Sequence, residues 1–281
     1  MSLLQNHNRR RSLTGVEHEW QACAPRLGTL VGARPPTFPV RAVIFDVDGV
    51  LVDTAVQHTT AWRRLATEEG LHFDESTAGA LRGLSRDDSL RRLLMGRTVP
   101  PRQFARWTDR KNAYYRASLA HLGPSDRLPG VDAILEGLAA RAVKLAAASS
   151  SRNARHVLAA IELADRFDVV VDGSEVRRHK PAPDVFLRAA RRLHVDPACC
   201  VVVEDAAAGI EAARTAGMRC VGVGDVWTLR AASLVIHSPA DLTAEFLINA
   251  MRQAPAPHAE ATRRQPMQRG CDACGSGPTS V

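Results

Sequence analysis

Three aspartates crowd the end of an apolar run in the stretch VIFDVDGVLVD: Asp46, Asp48 and Asp53. Carboxylates gathered at the edge of a core repel one another and lose hydration, so they need a cation or a proton to offset their charge. Other groups of matching chemistry follow: Ser149 in AAASSS, Lys180 in RRHKPAPD, and adjacent Glu204 and Asp205 in VVVED. Carboxyl groups, a hydroxyl and an ammonium together suit phosphoryl transfer through an aspartyl-phosphate. A carboxylate approaching a phosphate dianion meets repulsion of about 4 kcal/mol per charge pair at roughly 4 Å and an effective dielectric near 20. A divalent cation on carboxylate oxygens and a lysine ammonium supply the counter-charge. A second carboxyl can protonate the leaving oxygen and then deprotonate the next nucleophile.

Taken singly, each group has a plainer reading. Asp-x-Asp-Gly is a common turn, a lone lysine is a surface charge, and Glu-Asp favours a helix start. A calcium loop of the EF-hand type is excluded, because its sixth and twelfth places need Gly and Glu where this chain has Leu51 and Gln57. What makes the set meaningful is its placement at strand ends.

Six apolar runs read as strands: AVIFD (42–46), KLAAAS (144–149), DVVVD (168–172), CVVVE (200–204), CVGVG (220–224) and SLVIH (233–237). Helical patterns separate most of them, at 131–142, 153–163, 183–194 and 206–217. This alternation predicts an α/β fold, a Rossmann-like parallel sheet with helices on both faces. Asp46, Asp48, Ser149, Lys180, Glu204 and Asp205 then converge beyond the carboxyl edge of the sheet. The long interval after the first strand reads as all helix, at 59–70, 74–83, 86–96 and 101–122, so residues 55–127 are expected to form an inserted helical cap over that edge. The core is assigned to 39–54 and 128–250.

Within the cap, GLSRDDSLRRLL places Ser85 to cap a helix with Asp88 three residues on, and puts Arg86 in the first turn, where the helix dipole disfavours a cation. A guanidinium at a helix start makes an anion site. SSSRNARHVL offers another, with Ser151, Arg152 and Asn153, although taken singly an exposed arginine and routine helix capping by Ser or Asn explain the two stretches as well. Two phosphate sites are what a mutase needs and a plain phosphatase does not.

The formal charge of +7 is concentrated at the ends: +3 in residues 1–38 and +2 in 251–281, leaving +2 between them. Nucleic-acid binding by the core therefore gains little support, although Arg-rich ends on a non-catalytic binding module are an alternative. Both ends are rich in Arg, Pro and Gly without a period and read as disordered tails, 1–38 and 251–281. Six scattered cysteines suggest a reducing compartment, and the CDAC pair at 271–274 lacks the second pair of ligands that a zinc site requires. No membrane segment or secretory signal is legible, so a cytoplasmic protein acting as a monomer is expected.

The motifs FDVDGVLVD, SSS, KPAPD and VVVEDAAAGIEAARTAG resemble, in order and spacing, those of the haloacid dehalogenase superfamily over about residues 41–250. The resemblance implies Asp46 as nucleophile, Asp48 as general acid and base, and Ser149 and Lys180 as ligands of the transferring phosphate. It implies one magnesium ion per active site on the Asp46 carboxylate, the Asp48 backbone carbonyl and Asp205, assisted by Glu204. The cap stretches DTAVQHTTAW, GLSRDDSL and DRKNAYY, with SSSRNA, are similar to those of the beta-phosphoglucomutase branch. This implies that Arg86, Ser151, Arg152 and Asn153 grip the non-transferring phosphate, with Gly83 and Ser85 lining the same substrate site. Lys111 and Asn112 would hold the substrate or the closed cap, and His58 with Thr54 would tune Asp48. The implied substrate is a sugar phosphate, with glucose 1,6-bisphosphate as intermediate and activator; a sugar-phosphate phosphatase is the alternative.

Overall fold

The computed structural model describes residues 39–254. Short runs of Val, Ile, Ala and Cys form six strands: β1 (Ala42–Phe45), β2 (Lys144–Ala148), β3 (Val169–Val171), β4 (Cys200–Glu204), β5 (Arg219–Val223) and β6 (Leu234–Ile236). All neighbours pair in parallel, in the order β3-β2-β1-β4-β5-β6. Every residue of β1, β3, β4 and β5 is buried, which requires cover on both faces of the sheet.

Strand alternation supplies two cores. Val43 and Phe45 of β1 face a cluster formed with α5 (Val131–Ala139) and α6 (Ala154–Ala160). Ala42 and Ile44 face the opposite cluster, formed with α7 (Asp184–Leu193) and α8 (Ala207–Thr215). A last helix, α9 (Ala244–Gln253), buries Leu247, Ile248 and Met251 in the first cluster. It corrects the expected start of the C-terminal tail at residue 251: these residues make an apolar stripe at helical spacing, and Thr243 caps the helix by accepting from Phe246 N–H at 3.1 Å. The remaining tail calls, 1–38 and 255–281 with the CDAC pair, lie outside the described residues.

Between β1 and α5 the chain forms α1 (Ala55–Glu68), α2 (Glu75–Leu81), α3 (Arg86–Leu94) and α4 (Pro101–Ser118). These helices have a core of their own, built on Trp62, Leu65, Leu90, Leu93 and Trp107. The two strands of chain joining cap to sheet are tied together, Val52 bridging Arg127 and Leu128 N–H donating to Leu51 O at 3.0 Å. Among the described residues no helix is long and apolar enough to cross a membrane.

Candidate active site

Register brings the strand ends level. Phe45 pairs with Ala147 on one side and Val203 on the other, so Asp46 emerges beside Ala148 and Glu204. The Asp46 N–H donates to Val203 O at 2.9 Å, continuing the ladder by one residue. The crevice lies where the strand order reverses, between β1 and β4.

Lys180, 1% exposed, stands at the centre of the floor. Its Nζ donates to Asp46 Oδ1 at 2.6 Å, to Glu204 Oε2 at 2.8 Å and to Ala148 O at 3.4 Å. Burial opposes its charge, but the two carboxylates raise its pKa. Burial and the neighbouring Glu204 push Asp46 up to about 8 despite Lys180, and burial with the Asp46 charge pushes Asp205 up to about 7. Glu204 is likewise raised, by burial first and then by Asp205. Three carboxyl groups beside one ammonium leave an excess of negative charge that a hard cation would relieve.

Asp46, Glu204 and Asp205 bring carboxylate oxygens within 4.8 Å of one another, a donor set that fits an oxygen-seeking divalent ion. Gly49, at φ +87°, keeps that corner open, since a Cβ there would lie 2.2 Å from Asp205 Oδ2. The Asp48 carboxylate is not part of this cluster. It turns toward the cap, where Oδ1 accepts from Thr54 Oγ1 and from Tyr115 OH at 3.2 Å, and Oδ2 lies 3.4 Å from Ser149 Oγ.

His58 links Asp48 to the cap. Its Nδ1 is 2.8 Å from Lys111 Nζ and its Nε2 is 3.7 Å from Asp48 Oδ1. Burial and the Lys111 charge lower the His58 pKa, which favours a neutral ring that accepts from Lys111 and turns its Nε2–H toward Asp48. Burial alone would raise Asp48, but hydrogen bonding by His58, then by Thr54 and Tyr115, lowers its pKa. Lys111, 2% exposed and set over the Trp62 and Tyr115 rings, is lowered to about 7 by burial and then by Arg86.

Above the floor, α3 begins as its sequence requires: Asp88 N–H donates to Ser85 Oγ at 3.1 Å. The return bond differs from a full capping box, because Asp88 Oδ2 accepts from the Ser85 hydroxyl at 2.6 Å rather than from its backbone. Arg86 is drawn down in pKa by burial and by the charge of Arg152 across the cleft. Arg152 in turn lies 3.9 Å from Asp87 of the cap, and Asn153 Nδ2 donates to Asn112 Oδ1 at 2.9 Å. Ser151 N–H donates to Ser149 Oγ at 3.0 Å, and Asn153 N–H lies 3.2 Å from Ser151 Oγ. Gly83, Ser85 and Arg86 line the same cleft as Asp46, Ser149 and Asp205.

The fold gathers the predicted site residues, Lys180 and Glu204 forming the floor under the cleft, but leaves out Asp53, which is exposed and accepts from Ala55 N–H at 3.3 Å. Tyr115 and Trp62 were missed, although each sits one helical turn beyond a residue that was identified, four past Lys111 and four past His58. Arg82 and His179 also line the cleft, and no spacing rule in the sequence marks them.

The model of the haloacid dehalogenase-like hydrolases matches residues 40–217. A beta-phosphoglucomutase of Bacillus subtilis is 40% identical over 212 residues, covering 74% of this chain and 94% of the relative. The fructose-1-phosphate phosphatase YqaB of Escherichia coli is 38% identical over 183 residues, covering 64% and 95%. Among solved structures, a beta-phosphoglucomutase of Clostridium difficile superposes with a TM-score of 0.73 at 36% identity, covering 75% of this chain and 97% of that one.

Proposed function

The chain belongs to the haloacid dehalogenase-like hydrolases and is an enzyme of that superfamily, and on that premise we propose that it is a magnesium-dependent phosphoglucomutase interconverting beta-glucose 1-phosphate and glucose 6-phosphate in the cytoplasm. The observation that carries this reading is the pair of guanidiniums, Arg86 and Arg152, opposed across the same cleft that holds Asp46 and Ser149. A phosphate between them would relieve their repulsion while a second phosphate met the floor.

In the proposed cycle an Asp46 oxygen forms a bond to phosphorus as the bond from phosphorus to the sugar oxygen breaks. Lys180 and Ser149 hold the transferring phosphoryl oxygens, and Asp48 gives its proton to the departing sugar oxygen. Delivery runs the other way: phospho-Asp46 gives its phosphoryl group to the free 6-hydroxyl of bound beta-glucose 1-phosphate, whose proton passes to Asp48. The resulting 1,6-bisphosphate turns around and returns its other phosphate to Asp46 by the first step, leaving glucose 6-phosphate. Asp46, Asp205 and Glu204 would hold the magnesium ion, which supplies charge neutralisation at the phosphoryl oxygens. In the geometry seen, Asp48 is charged and turned toward Thr54, Tyr115 and His58. Closure of the cap would exclude water, which favours transfer from phospho-Asp46 to a sugar over its hydrolysis.

A sugar-phosphate phosphatase is the second reading, favoured by the likeness to the E. coli fructose-1-phosphate phosphatase. Incubation with beta-glucose 1-phosphate, magnesium and a trace of glucose 1,6-bisphosphate separates the two. Glucose 6-phosphate is the expected main product, with turnover lost when divalent ions are chelated; inorganic phosphate as the main product would reject the mutase.

A further inference from the structure

The loops of the cleft rest on a charged group that the proposed reaction does not use. Glu175, on the loop leading from β3 to Lys180, is largely enclosed, with 18% of its side chain exposed. It accepts from Arg155 Nη2 of α6 at 2.8 Å, and from Arg188 Nε and Arg192 Nη1 of α7, both at 3.1 Å. Burial works against its charge, but these arginines outweigh that and keep it ionised.

Arg155 also donates to Asp172 Oδ2 at 3.1 Å and to Val170 O at 2.7 Å. It lies two residues beyond Asn153, so whatever fixes Arg155 fixes the start of α6. The same loop presses on the phosphate-facing segment from behind. Gly173 N–H donates to Ser151 O at 3.1 Å, and a Cβ on Gly173 would come 2.2 Å from Ser150 O, so nothing larger fits. Arg155 and Arg192 both cap the Val170 carbonyl, which accounts for their protection of an edge strand but not for the carboxylate they share.

We infer that Glu175 is a positioning residue that holds the segment Ser149–Asn153 in register with the loop delivering Lys180. Its carboxylate joins α6, α7 and the β3 loop at one point, so the grip on a distal phosphate and the seat of the transferring one are set together. The kinetic part of this inference rests on the two-phosphate reading; the structural part does not.

Amide hydrogen exchange on the full chain tests the structural part in wild type, Glu175→Gln and Glu175→Asp. The Gln variant is expected to exchange about tenfold faster at Ser151, Arg152 and Asn153 while β1 and β4 keep their wild-type rates, and the Asp variant to recover most of the difference. In the same variant, KM for glucose 1,6-bisphosphate as phosphoryl donor should rise about tenfold with kcat changing much less. Unchanged exchange at residues 151–153, or a rise spread evenly over the sheet, would overturn the inference. A wild-type enzyme that hydrolyses without isomerising would instead overturn the two-phosphate reading, leaving the exchange result to decide on Glu175.

Discussion

The floor and the roof of the cleft hold their charges in different ways. On the floor, Asp46, Lys180 and Glu204 are 4%, 1% and 0% exposed, and their positions follow from strand register and from hydrogen bonds of 2.6 and 2.8 Å. Facing the roof, Arg152 keeps 53% of its side chain exposed, and among the described residues the polar contacts from its segment to the cap are one ion pair at 3.9 Å and one amide–amide bond. An enclosed, hydrogen-bonded cluster is in place before any ligand arrives. The seam between the Arg152 segment and the cap sets the guanidiniums of Arg86 and Arg152 near Asp87, and under the proposed function the floor would make the bond while the seam would take the second phosphate.

That contrast can be broken most severely at the floor. Asp46→Asn should lower turnover by about 10⁴-fold or more with little change in fold, because the amide cannot form the phosphoryl bond. Activity near wild type would remove the floor from the chemistry. Lys180→Met leaves buried carboxylates without their cation and is expected to lower unfolding free energy by about 3 kcal/mol or more in urea titrations. A second change, Glu204→Gln, should recover part of that loss.

At the roof the effects are smaller and selective. Arg86→Ala should cut isomerisation by about 10²-fold, equivalent to about 3 kcal/mol of charge-assisted hydrogen bonding, while release of inorganic phosphate from phosphoenzyme stays close to wild type. Equal losses in both would merge floor and roof into one unit. The subtlest change concerns Lys111, whose folded pKa of about 7 lies below its unfolded value of 10.5. The unfolded chain binds more protons between those values, so this group makes stability rise with pH above about 7; below that, the full cost of burying the cation is present. Lys111→Met should flatten that slope in urea titrations between pH 7 and pH 9 or so. An unchanged slope would show that the lysine is not desolvated as described.

The floor was legible in the sequence for the same reason that it is rigid. A parallel strand buried on both faces must be a continuous apolar run, and the polar residue that ends it stands out, as Asp46 does after AVIF and Glu204 after CVVV. The insertion was legible as a helical stretch too long for a crossover. The roof was harder to read, because its contacts join residues far apart in the chain through side-chain tips: Asn153 with Asn112, Arg152 with Asp87, Tyr115 with Asp48. No periodicity encodes such pairs. Glu175 escaped for a related reason, since one glutamate among surface arginines looks like any solvated charge until the fold brings three of them onto it. The helix at 244–253 was passed over because it follows the last strand, where the alternating pattern no longer calls for one.

The most direct test of the whole account follows a labelled phosphoryl group. Enzyme loaded from glucose 1,6-bisphosphate carrying radioactive phosphate, quenched in acid and digested, should carry the label on Asp46, and a chase with beta-glucose 1-phosphate should move it into sugar bisphosphate. Label found on another residue, or leaving only as inorganic phosphate whether or not the sugar is added, would contradict it.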